Sequence, residues 1–126
     1  MRIRRDVAKE VERGKRAVLA ELLEVLDNLD RAIAAGRDRA DSASDGALLQ
    51  GVQLVRDQFL AKLEGLGVAR FEALGTPFDA VVHEAVSVQP VTDPAQNGVV
   101  VAVAREGYRL GEYLLRPASV VVGTLQ

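Results

Sequence analysis

The 126-residue chain has no cysteine, no tryptophan, a single histidine, three phenylalanines and two tyrosines. Without cysteine, disulfide bonds and thiolate zinc sites are excluded. A catalytic zinc site takes about three protein ligands of the His, Cys or carboxylate type, and one histidine falls short of the usual sets. Because aromatic side chains are scarce, the composition favours a core of Leu, Val and Ala in helix pairs and a small sheet over a large enzyme core with a deep pocket.

Long apolar runs and a strong charge of either sign are also absent. No apolar segment approaches the roughly 20 residues that span a bilayer, and the first five residues lead into charges rather than an apolar signal core. The net charge of −2 gives no general attraction to nucleic acid or to anionic membranes. We therefore expect a cytoplasmic protein of one or two small domains that binds neither nucleic acid nor membrane.

The first part of the chain, residues 3–35, is predicted to form one long helix without an internal proline. Its apolar positions repeat at spacings of 4, 4 and 3 residues, starting with Ile3, Val7, Val11, Gly14, Val18, Leu22, Val25 and Leu29. We call this set the first stripe. An 11-residue period is close to the natural helical one, so a partner helix is expected to lie nearly straight beside it.

A second stripe occurs only in the latter half of this helix and consists of Leu19, Leu23, Leu26 and Ile33. One neighbouring helix can cover a single apolar stripe, whereas two stripes need two neighbouring helices to cover them. The first half is thus expected to pair with one helix and the second half to enter a bundle. A second chain would cover the exposed face most simply; the alternative is that the stripe folds back onto the sheet domain of its own chain.

Gly36 is expected to end this helix in a left-handed conformation, and a loop at 36–46 then leads to a second predicted helix at 46–66. Gly67 follows the second helix at a left-handed C-terminal position. Two helices per chain and two chains would make a dimeric four-helix bundle. We assign residues 1–66 to this helical dimerisation region. The expected dimer contacts are Val7, Val11, Val18, Leu22, Val25, Leu29, Val52, Val55 and Phe59.

After Gly67 the apolar period changes from 3.6 to 2, and short β-branched runs alternate with Gly, Pro and Asn turns. Residues 67–126 are therefore predicted to form a small, mostly antiparallel β domain. The predicted fold class is α+β: a long helix and a second helix, followed by this β domain.

A tight hairpin is predicted within the β domain, because two apolar runs, 108–110 and 113–115, flank Gly111-Glu112 in a type II′ arrangement. Pro117 marks an edge or bulge position after the second arm. Tyrosine and arginine often anchor interfaces, so Tyr108, Tyr113 and Arg116 are candidate contacts. Two alternatives stay open: Tyr108 belongs to the core, and Arg116 is held internally by an acidic group such as Glu112.

One cluster of residues, His83-Glu84 with Asp79 nearby, is a candidate for acid–base catalysis or metal binding. An HExxH zinc motif is absent because Ser87 occupies the place of the second histidine. We expect His83 to pack or hydrogen-bond within the β domain. Walker and dinucleotide-binding motifs are missing as well. The sequence thus predicts a protein that is not an enzyme and needs no metal or cofactor.

The segment Gly107–Gly123 resembles the C-terminal signature of GrpE proteins, the nucleotide exchange factors of DnaK-type chaperone ATPases. It has a glycine and an aromatic residue, an acidic residue four positions later, and then Leu-Arg-x-Ala-x-Val-x-Val. Residues 78–86 resemble the other half of that signature. Residues 26–32 and 66–68 are also similar, so the resemblance covers nearly the whole chain. Ala80 replaces a proline usual in the family, and Tyr113 an arginine of many members.

The resemblance implies a dimeric co-chaperone in which one β domain docks on the ATPase domain of a DnaK-type chaperone and opens its nucleotide cleft without binding nucleotide itself. We expect the contacts to include Gly67, Tyr108, Tyr113 and Arg116, with a lower bundle face around Asp27 and Arg31. Family members also carry a longer N-terminal helix associated with heat sensing, so this chain is expected to be a fragment or a short variant. The alternative function is a coiled-coil assembly adaptor with no effect on nucleotide.

Overall fold

A computed structural model describes residues 2–39 and 43–126 of the chain. The chain divides into two compact units, a helical unit Met1–Gly67 and a β unit Val68–Gln126. The order of elements, two helices followed by six strands, is that of an α+β protein. Within the described residues, neither helix is long and apolar enough to cross a membrane.

Helix α1 spans Arg2–Arg37 and helix α2 spans Ala43–Gly65. Both helices extend further into the predicted loop, residues 36–46, than the sequence predicts. Residues 40–42 of that loop lie outside the described part of the chain. The expectation that Gly36 ends α1 in a left-handed conformation is wrong, because Gly36 has no positive φ and remains helical. A Cβ atom there would lie 2.9 Å from Cδ1 of Leu49, so the glycine instead permits close packing of the two helices.

The two helices run antiparallel and bury the second stripe. Gly36 of α1 lies against Leu49 of α2. Asp30, one and a half turns before Gly36 in α1, accepts a hydrogen bond from Arg56, two turns after Leu49 in α2. Four α1 side chains and one from α2 are buried in this unit: Leu19, Leu23, Leu26, Ile33 and Leu63. By contrast, residues 3–15 of α1 are exposed throughout.

Helix α2 ends in the turn that the sequence predicts. Gly67 has a φ of +98°, in the left-handed region that favours glycine, and its N–H donates to the carbonyl of Glu64 at 3.0 Å. The prediction of a left-handed glycine at this position is confirmed.

The β unit contains two three-stranded sheets, ordered β1-β4-β5 and β2-β6-β3. The strands are β1 (Val68–Phe71), β2 (His83–Val91), β3 (Val100–Arg105), β4 (Gly107–Leu110), β5 (Tyr113–Arg116) and β6 (Ala118–Leu125). A short 3-10 helix, Pro94–Gln96, precedes β3. Three of the four strand pairs are antiparallel; β2 and β6 pair in parallel, which is possible because a long connection through β3, β4 and β5 separates them.

The core of the β unit is built from small and β-branched side chains. Ala73, Val100, Ala118 and Val120 are buried together, and Phe71, Phe78, Val103 and Val122 pack against them. Ala118, Val120 and Val122 alternate along β6 with their side chains on the core face. Pro117 stands where the chain leaves the first sheet at β5 and enters the second at β6.

Candidate partner-binding surface

The predicted hairpin is confirmed. Leu110 of β4 pairs with Tyr113 of β5 across the two-residue loop Gly111-Glu112. Gly111 has a φ of +60°, and Glu112, like every other described residue that is not glycine, has no positive φ. A positive φ at the first loop residue alone identifies the type II′ turn.

One face of the hairpin is buried. Tyr108 is 2% exposed and Arg116 is 8% exposed, and these two residues are cross-strand partners. The Arg116 guanidinium lies 5.4 Å from the centre of the Tyr108 ring, and its Nε–H donates to the backbone carbonyl of Glu106 at 2.8 Å. The structure therefore buries both residues, in agreement with the alternatives left open by the sequence, and the backbone carbonyl of Glu106 holds Arg116.

The tip of the hairpin is exposed. Tyr113 is 55% exposed and the neighbouring Leu114 is 37% exposed. Successive side chains of a strand point to opposite faces, so the two lie on opposite sides of β5. Of the three hairpin residues named from the sequence, Tyr113 alone is available at the surface of the β unit in this chain.

Sequence reasoning did not single out Arg109, which is half-buried on β4. Its guanidinium lies 5.1 Å from the centre of the Phe71 ring. The Phe71 ring also stacks on the imidazole of His83, with centroids 6.4 Å apart and planes 30° apart. The alternation Tyr-Arg-Leu in β4 is the signal that could have located it, because the arginine lies on the face opposite Tyr108 and Leu110.

Gly107 leaves the space that the end of the Phe71 ring occupies. A Cβ atom on Gly107 would overlap the end of the Phe71 ring and would lie 2.7 Å from the backbone nitrogen of Ala118. Only glycine fits between the ring and the start of β6. The glycine of the hairpin motif is therefore required by packing rather than by backbone conformation.

Arg70 of β1 is the centre of a cluster of charged side chains. Arg70 donates to Glu72, and it also donates to Glu106 at 3.3 Å. The hydrogen bond to Glu72 is the main cause that raises the pKa of Arg70 above its ordinary value, against the opposing effect of partial burial. This pair of contacts connects β1 to the β3–β4 junction.

His83 is held within the β unit by ring packing and by a hydrogen bond. It is buried, its Nδ1 accepts the backbone N–H of Asp79 at 3.0 Å, and its ring packs on Phe71 and Phe78. The prediction that His83 packs and hydrogen-bonds within the β domain is confirmed. In the described part of the chain, no three His, Cys, Asp or Glu side chains are grouped closely enough to hold a metal ion.

The remaining candidate contacts lie in the helical unit. Asp27 is half-buried on α1, and Arg31 is exposed and donates to the side chain of Asn28 at 3.1 Å. Gly67 is exposed at the end of this unit. The structure brings Asp27 and Arg31 together on one helix, one turn apart.

Most of the expected dimerisation residues are solvent-exposed in the single chain. The exposed fractions of Val7, Val11, Val18, Val25 and Val55 range from 45% to 62%, whereas Leu22, Leu29, Val52 and Phe59 are half-buried. Leu48 and Leu54 of α2 are also exposed. The helical unit thus buries one apolar stripe against its own α2 and leaves the other in water.

An ion pair also links the two helices of the helical unit. Arg56 of α2 donates from Nε to Asp30 of α1 at 2.8 Å and from a terminal nitrogen to Asp57 at 3.3 Å. The hydrogen bond to Asp30 is the main cause that raises the pKa of Arg56 above its ordinary value, against the opposing effect of partial burial. The pair fixes the register of α1 against α2.

Comparison with known proteins places these features in a family context. A sequence profile of the GrpE family matches residues 1–124. A Protein GrpE of Shewanella piezotolerans is 40% identical over 124 residues, which cover 95% of this chain and 60% of that relative. A Protein GrpE of Brachyspira hyodysenteriae is 39% identical over 126 residues, with 96% and 62% covered. One of Legionella pneumophila is 35% identical over 123 residues, with 98% and 59% covered. The chain spans about three fifths of the length of these relatives.

Proposed function

The chain belongs to the GrpE family, and from that premise we propose that it is an adenine nucleotide exchange factor for a DnaK-type chaperone. In this proposal a β unit docks on the chaperone's ATPase domain and holds the nucleotide cleft open, so that ADP leaves and ATP enters. The observation that carries the proposal is the family match over residues 1–124, which includes both units. The protein would act as a co-chaperone in the cytoplasm and catalyse no reaction of its own.

The exposed first stripe supports a homodimer. Val7, Val11, Val18 and Val25 lie on one side of α1, and a helix in water gains free energy by covering such a stripe. A second copy of the chain presents the same stripe and can cover it. We propose that the first half of α1 pairs with its counterpart and that both helix pairs join in a four-helix bundle through Val52, Val55 and Phe59.

The two units would then have different roles: the helical unit, Met1–Gly67, would dimerise and the β unit, Val68–Gln126, would contact the chaperone. Among the candidate contacts, Tyr113 and Gly67 are accessible, as is Arg31 beside Asp27. Tyr108 and Arg116 are buried, so we propose that they support the hairpin from within and influence docking through its shape.

Nucleotide exchange by this route needs no nucleotide contact from the exchange factor. The factor binds the open state of the ATPase domain more tightly than the closed state and thereby shifts the population to the open state. Linkage makes the effect reciprocal: if the factor weakens ADP binding by a given ratio, ADP weakens binding of the factor by the same ratio. The protein therefore requires no cofactor.

The test is the release rate of a fluorescent ADP analogue from a DnaK-type chaperone, followed by stopped flow with and without the full chain. We expect release to accelerate by orders of magnitude. Binding without acceleration would overturn the exchange activity and leave the chaperone partnership in place. The absence of both binding and acceleration would overturn the partnership and favour the assembly adaptor. A reciprocal measurement, the affinity of the chain for the chaperone with and without ADP, is expected to show the same ratio.

A further inference from the structure

The turn that leads into β3 carries the sequence Asn97-Gly98, and the chain has one other asparagine, Asn28, which precedes a leucine. Asparagine is a thermolabile residue, and it is most reactive before glycine, because a residue without Cβ leaves its backbone nitrogen unhindered. Both residues of the pair are exposed to solvent. The chemistry available to this pair is spontaneous deamidation.

Deamidation proceeds through a succinimide ring and consumes water. The backbone nitrogen of Gly98 gives up its proton and attacks Cγ of Asn97, and the bond from Cγ to the side-chain nitrogen breaks. The side-chain nitrogen leaves as ammonia, with a proton in place of the broken bond. Water then opens the ring at either of its carbonyl groups, which gives an aspartyl residue or an isoaspartyl residue at position 97.

In the folded β unit the attacking nitrogen is already bonded. The N–H of Gly98 donates to the carbonyl of Gly123 in β6 at 2.9 Å, and the N–H of Gly123 donates to the carbonyl of Val99 at 2.9 Å. Removing the proton from Gly98 therefore costs a hydrogen bond. A Cβ atom on Gly123 would overlap the carbonyl oxygen of Gln96, so β6 and the turn are in direct contact here.

The side chain of Asn97 is held away from that nitrogen. Its Oδ1 accepts the N–H of Leu125 at 3.0 Å, which connects the amide to the end of β6. The ψ of Asn97 is 123°, whereas ring closure needs the Gly98 nitrogen to eclipse Cβ, at a ψ of about −120° in an L-residue. Ring closure thus requires a rotation of the backbone and the release of both hydrogen bonds to β6.

We propose that Asn97 is a deamidation site that is closed while the end of β6 is bonded to the turn and opens when that end separates. The ends of strands open more often than a whole domain unfolds. The native rate is then the intrinsic rate multiplied by the population of the open end. An isoaspartyl residue lengthens the main chain between the N–H groups that bond to Pro94 and Gly123, so refolding does not restore the original turn.

The test follows the wild-type full chain in mildly alkaline buffer, with and without concentrated urea, by proteolytic peptide mapping and mass spectrometry. Replacement of the amide NH2 by OH raises the mass of the peptide that contains position 97. We expect Asn97 to react at least about tenfold more slowly in buffer than in urea, and Asn28 to react more slowly than Asn97 in urea. Equal rates at Asn97 in buffer and in urea would overturn protection by the fold, and no reaction in urea would overturn the site itself.

The contribution of β6 is measured with two variants of one residue. Leu125→Pro removes the N–H that bonds to Asn97, and Leu125→Ala is the matched control, because it also loses the leucine side chain but keeps the N–H. We expect Leu125→Pro to raise the native rate at Asn97 by about threefold or more and Leu125→Ala to change it by less than about twofold. If Leu125→Pro reacts like the wild type, or if both variants accelerate equally, the end of β6 does not control the site.

If Leu125→Pro lowers the stability of the whole β unit, low concentrations of urea applied to the wild type distinguish local opening from global unfolding. Local opening exposes little surface, so the rate at Asn97 is expected to rise only weakly below the unfolding transition. A rate that rises as steeply with urea as global unfolding, measured by circular dichroism, would overturn opening at the end of β6.

Discussion

Arg116 donates its Nε–H to the backbone carbonyl of Glu106 over 2.8 Å, although ten residues and the whole hairpin separate the two. The bond joins the end of β5 to the residue just before β4, while the side chain of Glu106 accepts from Arg70 on β1. The two ends of the hairpin are therefore fixed to one another and to the neighbouring strand. This connection determines where the hairpin tip is held.

Replacing Arg116 by alanine is expected to destabilise the β unit by about 1–3 kcal/mol, because the Glu106 carbonyl loses its partner and Tyr108 loses the guanidinium over its ring. Thermal unfolding followed by circular dichroism measures the change. Arg109→Met serves as the control and is expected to cost less than about 1 kcal/mol. If Arg116→Ala melts like the wild type and only binding is lost, Arg116 is a direct contact after all.

Gly107→Ala is expected to destabilise the β unit by about 2–4 kcal/mol, since the added methyl group has no room between the Phe71 ring and the Ala118 backbone. Ala118 cannot easily retreat, because its N–H donates to the carbonyl of Val82 at 3.0 Å. Chemical denaturation measures the loss. Gly51→Ala, in helix α2 with nothing within 4 Å of the added carbon, is the control and is expected to be neutral or slightly stabilising.

Gly67→Asp is expected to abolish binding to the chaperone ATPase domain while the dimer stays intact. The position has a positive φ, and an added charged side chain at the turn can displace the β unit from a docking surface. Gly67→Asn is the matched variant, because it has nearly the same shape and no charge. Loss of binding by both variants would indicate side-chain volume as the cause, and normal binding by Gly67→Asp would remove the turn from the contact surface.

The double variant Val11→Asp, Val18→Asp is expected to raise the dimer dissociation constant by about a hundredfold or more, since two apolar contacts are replaced by charges that face their own counterparts. Sedimentation velocity over a range of protein concentrations measures the shift. Val81→Asp is the control, because it makes the same substitution at an exposed valine of the β unit. A double variant that dimerises like the wild type would show that the first stripe is not the interface.

Sequence periodicity predicted the helices, the second stripe and the hairpin, because each depends on contacts between residues close in sequence. Leu19, Leu23 and Leu26 repeat at helical spacing, and the structure buries all three. The Gly111-Glu112 turn depends on the conformation of one glycine. Local patterns of this kind are read directly from residue types.

Features that depend on long-range packing could not be predicted in the same way. Gly36 has the appearance of a helix terminator, but its role is set by Leu49 on another helix. The parallel pairing of β2 with β6 joins segments about 35 residues apart, and no local pattern encodes it. Tyr108 and Arg116 have the residue types of an interface, and only the folded structure shows that they are buried.

The central position of β6 has a consequence for the order in which the protein is made. The strands β2 and β3 pair with β6 and not with each other, so this sheet lacks its middle strand until residues 118–125 have left the ribosome. The helical unit depends on no later segment for the contact between α1 and α2. At a synthesis rate of about 5–20 residues per second, the helices therefore have several seconds to assemble before the β unit can close.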